Sequence, residues 1–108
     1  MLHFRELFKN YKKISIPING THYNLVVADT AEKKQRGLSQ VLDLPKGMGM
    51  IFTYNTPVNN AFTMQNTKVP LTIIFLDSEF KIVEHFKCNP FQNKKIKPVK
   101  SYSYVIEI

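Results

Sequence analysis

The sequence predicts a mainly β (α+β) domain: a small antiparallel barrel or sandwich of six to seven short strands, with two helices. Short apolar runs recur along the chain, many of them alternating with polar residues. Turn residues separate these runs, and a helical period shows in only two places. At 108 residues one domain over 1–108 is expected, with little room for a second core.

Phe4, Leu7, Phe8 and Tyr11 stand at i, i+3, i+4 and i+7, the spacing of one helix face, and predict a helix over 2–12. Ile14, Ile16 and Ile18 then alternate with Ser15 and Pro17, and Asn19-Gly20 leads into Thr21 to Ala28. Asn-Gly is the preferred pair for a type I′ turn, so 14–18 and 21–28 should form a hairpin. Pro17 cannot donate to a ladder, which puts the first strand on a sheet edge. Asp29-Thr30-Ala31-Glu32 switches the period: Asp29 can cap a helix, Glu32 can reach back to it, and Gly37 can end it, giving a helix over 30–38. Beyond the Pro45-Lys46-Gly47 turn, strands are expected at 49–54, 60–65, 71–77, 81–86 and 102–108. Leu71 to Leu76 is nearly all apolar and reads as a central strand covered on both faces. Asp77-Ser78-Glu79 forms the turn after it, and 87–100 is loop-like.

Composition narrows the function classes. Fifteen Lys+Arg against eight Asp+Glu give a formal charge of +7, which suits an acidic partner. Hydrophobic residues make up 44% of the chain, which argues against disorder. One cysteine excludes an internal disulfide and a Cys₄ metal site. Arg5 and Glu6 interrupt the first apolar run, so no signal-peptide core forms, and no run of about 18 apolar residues could span a bilayer. A cytoplasmic monomer without membrane insertion is expected. The excess charge is local: Gly47 to Thr67 holds no charged residue, whereas 87–100 carries Lys87, Lys94, Lys95, Lys97 and Lys100 and no acid.

Several segments together resemble a known family. Ala28-Asp29-Thr30-Ala31-Glu32 is similar to its A-D-T-x-E and Arg36-Gly37-Leu38 to its R-G-L. Leu44 to Phe52 is similar to its L-P-x-G-x-G-M-L-F, and Phe62-Thr63-Met64-Gln65-Asn66-Thr67 with Val69-Pro70-Leu71 to its F-W-M-K-N-T-x-I-P-L. Ile74 to Asp77 matches A-F-L-D, and Tyr104 to Ile108 matches Y-V-L-E-L. Over about residues 22–108 the chain thus resembles the domain of unknown function 192 family of bacteria, archaea and phages. The resemblance implies a compact, mostly β domain with a short helix after the A-D-T segment, and no settled activity. Thr63 stands where the pattern has Trp, Gln65 where it has Lys, Val41 where many members have Arg, and Phe80 where the turn has Gly. Relatives run on beyond the position of Ile108, and many carry export signals, of which none is expected here.

The residues offer three functional readings. The first is a non-catalytic binding or accessory module, without cofactor, for a small molecule or a peptide. It builds an apolar, uncharged pocket from Met50, Phe52, Phe62 and Met64, with Asn66 and Thr67 as polar contacts. A purely structural account makes Asn66-Thr67 a turn that positions the following strand, with Pro70 fixing its approach. The second is a basic adaptor, in which the five lysines of 87–100, with Phe86, Phe91 and Tyr102 nearby, contact nucleic acid weakly and nonspecifically or an acidic protein. It requires them to share a face with Lys12 and Lys13. The third is a hydrolase built on Asp77, His85 and Cys88. Against it, residues three apart on a strand tend to face opposite sides, and no nucleophile motif surrounds Cys88. No catalytic residue is therefore assigned. His3, His22, His85 and Cys88 have no metal-site spacing, so no metal is expected.

Overall fold

The structure is a computed structural model and describes residues 3–108. Its elements are α1 (Phe4–Leu7), β1 (Lys13–Ile18), β2 (Thr21–Ala28), α2 (Ala31–Arg36), β3 (Met48–Val58), β4 (Leu71–Leu76), β5 (Ile82–Cys88) and β6 (Tyr102–Glu107). All six strands belong to one sheet of order β1-β2-β3-β6-β4-β5.

The mainly β class holds, and the barrel or sandwich is corrected to one open, mixed sheet. β2 and β3 run parallel, with Leu25 opposite Gly49 and Val27 opposite Ile51. A parallel pair needs a crossover, and residues 29–47 with α2 are long enough to supply it. The other neighbours are antiparallel. β1 and β5 remain unpaired edges. Ile16 and Ile18 nevertheless share an apolar pocket with Ile74, Leu76 and Ile82, so the sheet curls toward closure without reaching it.

Strand alternation gives the sheet two apolar faces. Val26, Met50, Phe52, Ile73, Phe75 and Val105 belong to the larger core, while Leu25, Val27, Ile51, Ile74, Leu76 and Ile106 form the smaller one. β4 is covered on both sides, as its near-continuous apolar run requires. β6 sits mid-sheet between β3 and β4, a position that its alternating sequence did not suggest.

The hairpin forms in the expected register, with Ile18 opposite Thr21 and positive φ at Asn19 and Gly20. Pro17 lies on the edge strand. The N-terminal helix is shorter than expected, a single turn at Phe4–Leu7, and Leu2 of the 2–12 expectation lies outside the described residues. Phe8 and Tyr11 are buried all the same, through turns after the helix: Phe8 packs edge-on to Tyr11 at 5.0 Å. The expected strand at 60–65 reduces to one bridge between Phe62 and Ile96, because only Phe62 exchanges backbone hydrogen bonds with a neighbouring segment. In the Asp77 turn, Asp77 Oδ1 accepts from the Glu79 and Lys81 amides, each at 2.9 Å. Phe80 takes φ 66° there, a left-handed conformation held by those bonds and by its ring against Tyr104.

The start of α2 differs from expectation. Thr30, not Asp29, is the cap: its hydroxyl accepts from the Lys33 amide at 3.2 Å. Asp29 instead pairs with Lys12 and Lys33, and Glu32 turns along the helix to Arg36. With Asp29 turned to those lysines, the Thr30 hydroxyl caps the helix. Thr30→Ala should lower stability by about 1 kcal/mol in urea denaturation, whereas Glu32→Ala, which removes only a surface pair, should change it by less than about 0.5 kcal/mol.

Candidate functional site

α2 stops because Gly37 adopts φ 50°, a left-handed conformation that a β-carbon disfavours. The chain then turns through Leu38, Ser39 and Gln40. Across from this turn, residues 60–63 and 66–68 form a second wall. Between the walls lies a cleft of about 860 Å³, within the range of small-molecule sites.

Each wall is held by identifiable contacts. Phe62 exchanges both backbone hydrogen bonds with Ile96, at 2.7 and 2.8 Å. Its ring packs edge-on against Phe52 at 5.2 Å and Phe75 at 5.6 Å. Tyr102 donates its hydroxyl hydrogen to the Asn60 carbonyl at 2.8 Å. Thr67 donates its amide to the Met64 carbonyl and accepts from the Phe91 amide at its own. Lys68 Nζ donates to the Ser39 carbonyl at 2.7 Å, tying the walls together. On the rim, Lys34 Nζ lies 4.0 Å from the Tyr54 ring centroid.

The deepest polar group is Glu107. β6 brings it between Met50 of β3 and Ile73 of β4, on the face of the larger core. It is 6% exposed, it lines the cleft, and its Oε1 lies 3.9 Å from where a β-carbon on Gly37 would stand. Burial alone pushes its carboxyl up to about 8, with no hydrogen bond or cation offsetting the desolvation. Burial also raises the neighbouring Tyr54, Tyr102 and Cys88 groups, and the Glu107 charge adds to the effect at Tyr54 and Cys88.

Of the residues assigned to a pocket from sequence, Phe52, Phe62, Asn66 and Thr67 line this cleft. Met50 and Met64 do not: both are fully buried in the core. Glu107, Tyr54 and Gln40 were missed. Glu107 had a usable signal, as the single charged residue in the closing strand. The site is less uncharged than Gly47 to Thr67 suggested, because Lys34, Arg36 and Lys68 reach its rim from flanking segments.

Asp77, His85 and Cys88 are kept apart. Cys88 belongs to the larger core, and His85 pairs with Ile74, a residue of the opposite face. Cys88 lies beside Leu71 at the start of β4, about 20 Å from the Asp77 turn at 3.3 Å per residue. Among the described residues no group of three His, Cys, Asp or Glu could hold a metal ion, and no helix is long and apolar enough to cross a membrane. Lys87, Lys94, Lys95, Lys97 and Lys100 are exposed. Lys12 and Lys13 are engaged elsewhere, with Asp29 and with the Lys9 and Tyr11 carbonyls.

Two solved structures share this fold. A Sinorhizobium meliloti 1021 protein, provisionally described as a transcription regulator, superposes with a TM-score of 0.78 at 23% identity, covering 91% of this chain and 81% of its own. A protein of unknown function from Novosphingobium aromaticivorans DSM 12444 gives 0.74 at 23% identity, covering 90% and 80%. At that identity the likeness is one of fold alone. No curated protein matches the chain. The sequence profile of DUF192, described as an uncharacterized ACR, matches residues 14–108, and the chain therefore belongs to the DUF192 family.

Proposed function

We propose that the domain is a non-catalytic binding module that takes a small ligand in the cleft above Glu107. One observation carries the reading. Segments far apart in sequence, Arg36-Gly37-Leu38, Phe62-Thr63, Asn66-Thr67 and Glu107, meet around a single cleft whose floor is a carboxyl without a partner among the described residues. A structural role alone would favour an apolar residue at that position, since a buried carboxyl without hydrogen bonds is costly. Phe52 and Phe62 form the apolar wall, and Asn66 and Thr67 supply polar contacts beside it.

A thermal-shift screen against neutral, cationic and anionic small molecules tests this reading. Compounds that stabilise the wild-type chain should lose most of their effect on Asn66→Ala and Gln40→Ala, two exposed rim positions whose replacement leaves the core intact. Equal shifts in both variants would place binding elsewhere and end the proposal.

A second reading, a basic adaptor contacting nucleic acid through the 87–100 lysines, draws on their exposure, the +7 charge and the description of the Sinorhizobium neighbour. It predicts a gel shift with DNA at low salt that vanishes steeply as salt rises. The absence of any shift at low salt would dismiss it.

A further inference from the structure

We propose that the cleft takes a neutral, hydroxyl-bearing ring of the saccharide or polyol class, with a ligand hydroxyl hydrogen-bonded to the Glu107 carboxyl. This rests on the binding-module reading above and names the chemistry of that site. Glu107 is more than nine-tenths buried, faces the cleft, and among the described residues is met by no donor. Held protonated through neutral pH by its surroundings, the carboxyl both donates and accepts, as an alcohol does.

The rim repeats that chemistry. Gln35, Gln40, Asn60 and Asn66 line the cleft as exposed amides, each able to donate and to accept. Phe62 and Tyr54 offer half-buried aromatic surface beside them, suited to the C–H faces of a ring.

Charged ligands fit less well. The three rim cations already have partners: Lys68 is bonded to the Ser39 carbonyl at 2.7 Å, Arg36 to Glu32 at 3.2 Å, and Lys34 lies over Tyr54 at 4.0 Å. An anion would have to draw them from those partners, and an amine would have to pass three positive charges to reach a carboxyl that carries none.

The test is a titration of the ¹⁵N-labelled chain, followed by its backbone amide signals. Cellobiose, N,N′-diacetylchitobiose and myo-inositol serve as neutral probes, with putrescine and citrate as charged ones. At least one neutral probe at millimolar concentration should move the signals of Gly37, Thr63, Asn66 and Thr67. Glu107→Ala should weaken that binding about tenfold or more, and Glu107→Gln, which keeps a donor and an acceptor, by less. Asn66→Ala, at an exposed position, provides a variant whose folding is not in question and should weaken it several-fold. If putrescine or citrate moves the cleft signals and no neutral probe does, the ligand class is wrong while the binding reading stands. If no probe moves them, the inference fails, and the thermal-shift screen decides separately on the cleft.

Discussion

Gly49→Ala is expected to destabilise the domain by about 3 kcal/mol or more, enough to leave much of it unfolded. Gly49 lies in β3, opposite Leu25 of β2. A β-carbon there would overlap the Glu107 carbonyl oxygen and come within 2.7 Å of Ile108 Cγ2. The carbonyl belongs to the backbone of a central strand and cannot rotate aside, so relief requires β3 and β6 to separate. These two strands join the β1-β2 side of the sheet to the β4-β5 side, so the damage reaches both. Urea denaturation of the variant should show a midpoint far below that of the wild type. A loss under 1 kcal/mol would mean that the close approach of β3 to β6 is absent in solution.

Glu107→Gln is expected to stabilise the chain at alkaline pH and to flatten its pH dependence. In the unfolded chain the carboxyl titrates near the ordinary value of 4.5, and in the fold burial raises it to about 8. Between those values the native state holds a proton that the unfolded state has released, so the unfolded state binds fewer protons and stability falls as pH rises. The contribution is fully present below about 4.5 and is lost by the time pH has passed through about 8. A gap of that width corresponds to a few kcal/mol, on the order of 3–5. Burial pushes the nearby Tyr54 and Cys88 groups upward, away from that window. Glutamine is nearly isosteric and never ionises, so the variant and wild type should be similar near pH 5 and differ by a few kcal/mol at pH 9. Subtracting the two urea-derived profiles leaves only what differs between the two chains, the side chain at position 107. A difference that stays constant with pH would show that Glu107 is solvated.

The strands were largely legible because their signals are local. Asn19-Gly20 demands a hairpin, Pro17 an edge, and the Leu71–Leu76 run a doubly covered strand; the chain obeys all three. Strand order was not legible. Nothing in Tyr102 to Glu107 says that it inserts between β3 and β4, and the parallel β2-β3 pair depends on a crossover whose path tertiary packing decides. The 60–65 segment has an alternating pattern, yet a pattern without a neighbour to pair with yields only the Phe62–Ile96 bridge.

The site was half legible for a related reason. Phe52, Phe62, Asn66 and Thr67 come from the uncharged stretch Gly47 to Thr67, and they share one cleft. Met50 and Met64 come from the same stretch but lie in the core, because apolar composition does not say which residues face a cavity. Glu107 lies 40 residues beyond Thr67 and reaches the cleft only through the sheet order. Its environment sets its character, and that environment is assembled from β3, β4 and the end of α2.

That carboxyl is buried on the floor of the cleft, and its own titration reports most directly on those surroundings. Carbon-detected NMR of the chain labelled with ¹³C at glutamate side chains follows its titration directly, with Glu107→Gln identifying the signal. A midpoint near pH 8 is the predicted result, and a midpoint at the ordinary glutamate value near 4.5 would contradict it.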